Sequence, residues 1–171
     1  MAKAELRSLY LSELQEVCDC EAQTTESMPS LVAAASSAGL RSAMGQHAGQ
    51  AMQRGQRVGA ILHRHGTRPR PGADQVAAVL VRKASHIVSE LFDQDLRDAA
   101  LIAIVRRIAH HQIAAYGAAE IYAGALRLEI DRHGLLAALQ EERSTDRQLA
   151  GVSAQPGLMA ACPRRVCWIA W

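Results

Sequence analysis

The sequence predicts an all-α protein, and three observations carry that prediction. Aromatic residues make up only 4% of the 171-residue chain, while Ala, Leu, Gln, Glu and Arg dominate. That balance favours helices, because strands draw on aromatic and β-branched side chains. Apolar groups recur at steps of three and four through long stretches of the chain, the period of one helical face. The breaks between those stretches carry turn chemistry, most plainly HGTRPRPGAD at 65–74. At this length a single domain can bury a real core without disulfides or metal as obligatory staples.

The first helix spans about residues 5–35, where Leu6, Tyr10, Leu14, Val17, Thr24, Met28 and Leu31 trace one face and Glu21 falls on it. Pro29 lies inside this run and is expected to kink or loosen it, since proline removes a backbone donor. SSAG at 36–39 is a turn, and Leu40, Met44, His47, Ala51, Val58 and Ile61 give a second stripe to about His65. Helix must stop in the 65–74 run, at Pro69 and Pro71. A shorter helix follows from about Gln75 to Leu91, and Asp93 or Asp95 is placed to cap the next.

LRDAALIAIVRRIAHHQIAAYGAAEIYAGAL, residues 96–126, is the longest uninterrupted helical signal. The last helix runs from Glu129 or Asp131 to Ala150, with Leu135, Leu139, Glu142, Asp146 and Leu149 at steps of three and four. Four long helices, the second and third joined by a crossover that contains a short extra helix, describe a ferritin-like four-helix bundle with one long connection. Residues 1–150 form that bundle. Residues 151–171, GVSAQPGLMAACPRRVCWIAW, form an extended or disordered apolar tail.

Composition excludes several classes. The net charge of +2 comes from 19 basic and 17 acidic residues dispersed along the chain, so nucleic acid is not indicated. No window approaches the roughly 20 apolar residues of a membrane span, and the N-terminus lacks the apolar core of a signal peptide, which points to a cytoplasmic protein. Cys18, Cys20, Cys162 and Cys167 fit neither a disulfide framework nor a paired C-x-x-C zinc site. Reduced thiols are expected, with Cys18 and Cys20 as small buried hydrophobes facing different sides.

The stretches RDAALIA (97–103), AHHQIAAYG (109–117) and EERSTDRQL (141–149), with an ELxxxYxxE-like start, resemble the YciE/YciF family of ferritin-like bacterial proteins. The resemblance covers about residues 5–150. It implies a compact four-helix bundle, often a homodimer, associated with stress responses and with undefined biochemical activity. Such bundles hold two metal ions with inward-facing Glu and Glu/His pairs. The family pattern His-x-x-Glu-Thr on the second helix reads here His47-Ala48-Gly49-Gln50-Ala51. Glu-His-Tyr-Glu-Ile-Ala on the third reads Ala109-His110-His111-Gln112-Ile113-Ala114. Glu21, Glu141, Glu142, Asp146, His47 and His110 remain, whereas the carboxylates at 50, 109 and 112 are gone.

Two divalent ions would bring four positive charges into the core, and Glu21, Glu142 and Asp146 supply three negatives; Glu141, one step around the helix, points elsewhere. A full di-iron centre is disfavoured, because uncompensated buried charge is costly. A single iron, zinc or manganese ion on Glu21, His47, Glu142 and Asp146 fits the donor types. With no metal, Gln50 and Gln112 amides can instead donate to Glu21 and Glu142 in a buried polar network, as glutamate cannot. Tyr116 either joins that network or packs with its hydroxyl at the edge. His110 and His111 point about 100° apart, so at most one faces inward, and His63 and His65 read as surface groups.

The expected function is a non-enzymatic, stress-associated, ferritin-like protein whose di-metal site has become that network. The alternatives are a ferroxidase or peroxide-consuming oxidoreductase using a residual iron site, and a helical module that binds unknown protein partners through the apolar tail.

Overall fold

The computed structural model describes residues 2–153, which form five helices and no strand. They are α1 (Ala2–Ala34), α2 (Ala38–Arg64), α3 (Gln75–Glu90), α4 (Gln94–Ala125) and α5 (Glu129–Ser153). α1 packs on α2 and α4, and α5 packs on the same two, which closes a ring of four long helices; α3 packs against α1 and α4. None of these helices is long and apolar enough to cross a membrane.

Local chemistry explains the boundaries. α1 continues through Pro29. The loss of one donor there is outweighed by burial on either side of it, since Met28 and Leu31 are both fully buried. The turn expected at 36–39 is shorter and earlier, because α2 already starts at Ala38, capped by the Ser37 side chain. Asp98 of α4 holds that turn, accepting from the Ser36 and Ser37 backbone N–H groups at 2.9 and 2.7 Å and from the Ser36 hydroxyl at 2.7 Å. Asp74 caps α3 through the Ala77 N–H at 2.8 Å, and Asp93, not Asp95, caps α4 through the Leu96 N–H at 2.9 Å.

α1 also fixes the crossover. Gln15 donates to the Arg68 carbonyl and accepts from the Arg70 N–H, while Asp19 accepts from the Gly72 and Asp74 N–H groups. α5 runs past the predicted end at Ala150, since Gly151, Val152 and Ser153 are helical and Val152 is buried. The rest of the expected tail, 154–171, lies outside the described residues.

The core is divided lengthwise. One apolar cluster gathers Tyr10, Leu14, Val17, Val58, Ile61, Leu62, Tyr116, Ala119 and Leu135. The other gathers Met28, Leu31, Leu40, Met44, Leu101, Ile104, Val105 and Leu149. On each ring helix the residues between these two sets include buried polar ones: Glu21 and Thr24 on α1, His47 and Arg54 on α2, Gln112 on α4, Glu142 and Thr145 on α5. A polar layer therefore crosses the middle of the ring, with hydrocarbon on both sides.

Candidate functional site

Arg54 occupies the centre of this layer with no solvent exposure. Its Nε donates to Glu21 Oε1 at 2.7 Å and its Nη2 to Glu21 Oε2 at 3.3 Å. The same Nη2 contacts Glu142 Oε1. One guanidinium thus bridges carboxylates from α1 and α5, using the planar fork that makes arginine suited to such pairing. Tyr116 donates its hydroxyl to Glu21 Oε1 at 2.7 Å, and His47 Nε2 lies 3.3 Å from Glu142 Oε1. Gly55 lets α2 approach α1 here, since a Cβ at that position would meet Glu21 Cβ at 3.3 Å.

The electrostatics follow from two acids sharing one base. Burial pushes the Glu21 carboxyl up, Arg54 and the Tyr116 hydrogen bond pull it down, and the Glu142 charge raises it; the net direction is up. Burial opposes the Arg54 charge, but Glu21 and Glu142 more than offset it and hold the guanidinium firmly protonated. Burial and then the Glu21 charge raise the Tyr116 hydroxyl well above its usual range, so it remains a donor.

The six residues expected to form a metal set divide. Glu21, His47 and Glu142 meet in the layer, fully buried. Gln112 lies in it as well, 1% exposed, yet neither its amide nitrogen nor its oxygen has a hydrogen-bond partner among the described residues. Gln50 is half-buried, and its oxygen accepts from the Thr145 hydroxyl at 3.0 Å. Asp146 faces away from the layer, with Oδ1 2.7 Å from Arg106 Nε and 3.1 Å from His110 Nε2. The donors to the two glutamates are therefore Arg54, Tyr116 and His47 rather than the Gln50 and Gln112 amides.

A central ion does not fit these residues. The space between Glu21 and Glu142 is filled by a guanidinium that cannot give up its proton, and an ion there would have to expel it. The signal for this cation lies in the α2 stripe, which steps from His47 to Ala51 and then jumps seven residues to Val58. Arg54 is the missing step of that stripe. Elsewhere, His65 departs from its expected place at the surface: its Nε2 lies 2.7 Å from Asp131 Oδ2 in a cluster with Tyr10 and Arg64. Neither His110 nor His111 enters the central layer; His110 is 60% exposed, and His111 reaches Asp74 at 2.6 Å.

Residues 5–159 match the family model described as a domain of unknown function, DUF892. The chain belongs to this family. The curated protein YciF of Escherichia coli (strain K12) is 24% identical over 149 residues, covering 86% of this chain and 90% of that protein. The crystal structure of the E. coli stress protein YciF superposes with a TM-score of 0.84 at 22% identity, covering 92% of this chain and 98% of that one. YcfI of Rhodopseudomonas palustris, for which a structural role has been suggested, gives a TM-score of 0.80 at 23% identity over 85% of this chain and 92% of that one. At such identities the structural likeness speaks to the fold alone.

Proposed function

We propose that this DUF892 chain is a ferritin-like four-helix bundle that works as a non-enzymatic, stress-associated structural or interaction module. In it a built-in cation, Arg54, replaces the central metal centre. The observation that carries this reading is the fully buried Arg54 guanidinium between Glu21 and Glu142. A metalloenzyme of this architecture needs an open, ligand-lined volume at mid-bundle, and here that volume is filled by a permanent charge locked between the would-be ligands. The stress association draws its support from YciF, described as a stress protein. The homodimer rests on the family resemblance, and the cytoplasmic location is read from a sequence without a membrane-length apolar run.

Chemically, the layer can do what an ion would do structurally. It ties α1, α2 and α5 together by charge-assisted hydrogen bonds and fixes their register, because a one-turn slip of any helix would strand a buried charge in hydrocarbon.

Iron analysis combined with an Fe(II) oxidation assay tests this. Protein purified without chelator is expected to carry no Glu21-dependent iron and to leave the rate of Fe(II) oxidation by oxygen unchanged. About two irons per chain, the complement of a working di-iron bundle, with oxidation abolished by Glu21→Ala, would establish the oxidoreductase reading instead.

A further inference from the structure

A second polar cluster lies where α1, the N-terminus of α3 and α4 meet, and the central layer does not use it. Cys20, Asp74 and His111 converge there, with one potential ligand atom from each residue lying within 4.8 Å of the other two. Cys20 and Asp74 are 1% and 3% exposed, and the His111 side chain, 23% exposed, forms the opening to solvent. We propose that Cys20, Asp74 and His111 form a binding site for a single zinc-like divalent ion.

The donor set is a thiol, an imidazole and a carboxylate, a borderline-soft S/N/O combination that matches Zn²⁺ and its spectroscopic substitute Co²⁺. Three protein ligands leave a fourth tetrahedral position for water on the exposed His111 side. In a tetrahedral site neighbouring donors stand roughly 3.3–3.6 Å apart. His111 and Asp74 are now in hydrogen-bond contact at 2.6 Å, so a small outward shift of the partly exposed ring admits the ion. The three ligand atoms, now within 4.8 Å of one another, close on the ion as it binds. Asp74 is anchored on both sides, its N–H bonded to Asp19 and its carbonyl to Gln23, while Oδ1 caps α3 and leaves Oδ2 for His111.

The donor set also limits the cost of placing an ion in low dielectric. With Cys20 as thiolate, its proton released on binding, His111 as neutral imidazole and Asp74 as carboxylate, two negative charges offset the dication. Glu13 and Glu16 lie close enough to act electrostatically on His111 and add attraction at the opening. This site depends neither on Arg54 nor on the function proposed above.

Cobalt titration of the full, untagged chain in metal-free buffer tests the assignment. One equivalent is expected to produce a thiolate-to-cobalt charge-transfer band and the intense visible bands of tetrahedral Co²⁺, all bleached by Zn²⁺. Cys20→Ser is expected to abolish the charge-transfer band. His111→Gln, and Asp74→Asn, which keeps the α3 cap, are each expected to weaken binding by roughly tenfold or more, since even an outer partner of a metal ligand is worth that much. Glu21→Gln and the Cys162→Ser/Cys167→Ser double variant are expected to bind like the parent, and circular dichroism verifies that each variant is folded. Absence of the charge-transfer band from the parent, its survival in Cys20→Ser, or its loss in the tail double variant or in Glu21→Gln overturns the proposal.

Discussion

Two clusters in this molecule use the same four kinds of side chain with opposite consequences. In the central layer Arg54, Tyr116 and His47 surround Glu21 and Glu142, all of them fully buried. Arg64, Tyr10 and His65 surround Asp131 in the other cluster, but there the arginine side chain is 49% exposed. Burial also pushes the Asp131 carboxyl up, yet hydrogen bonds from Arg64, His65 and Tyr10 more than offset it and its pKa falls below 3.8. Glu21 ends above 4.5, because burial and the Glu142 charge outweigh its partners. Identical chemistry changes sign with the number of acids per base and with access to water.

The largest effect that follows is on Arg54. Arg54→Leu leaves two sealed carboxylates with no cation, and urea denaturation is expected to register a loss of about 3–5 kcal/mol. Adding Glu21→Gln and Glu142→Gln to that variant is expected to restore most of it. Arg64→Ala, whose side chain is half in solvent, is expected to cost under about 1 kcal/mol, and equal losses at the two arginines would erase the contrast. Next in size is Tyr116→Phe. It removes a buried hydrogen bond to an ionised group and is expected to cost about 1.5–3 kcal/mol in the same assay.

Acid titration of stability sharpens the comparison further. The folded pKa of Asp131 is lowered, so the stability it contributes is present above pH 3.8 and is lost as pH falls through its folded value. Asp131→Asn is expected to converge on the parent as pH drops through that window. Glu21 has the opposite sign: its folded pKa is raised, so its contribution is present below pH 4.5 and is lost as pH rises through the folded value. The parent is therefore expected to lose ground to Glu21→Gln on raising the pH. Smallest is the partly exposed Arg106–Asp146 pair. Asp146→Asn is expected to cost under about 1 kcal/mol, less still at high salt.

The helices were legible because each carries its own signals. Apolar spacing marks α1, α2 and α5, the long uninterrupted run at 96–126 marks α4, and the flanking breaks mark α3; the cap of α4 is readable only as Asp93 or Asp95, and the fold selects Asp93. What escaped were features set by partners distant in sequence. The role of Asp98 depends on Ser36 and Ser37, more than 60 residues away. Cys20 reads as a small hydrophobe until Asp74 and His111 are brought beside it. Gln112 and Asp146 both fall in apolar stripes, but stripes do not resolve helix phase well enough to separate a residue in the layer from one at its edge. Arg54 is concealed differently: it sits in phase in the α2 stripe, but arginine is seldom fully buried, so its type points to the surface.

If Arg54 stands in for a metal, a variant lacking it should bind manganese in its place. The measurement belongs in a Cys20→Ser background, which removes the thiol at the other cluster. There, Arg54→Ala is expected to be destabilised and to regain part of its melting temperature with millimolar Mn²⁺, held by Glu21, His47 and Glu142, with the gain abolished by Glu21→Gln. The chain that retains Arg54 is expected not to respond. A Glu21-dependent rise in melting temperature with Mn²⁺ while Arg54 is present would show that the guanidinium does not occupy the metal's place.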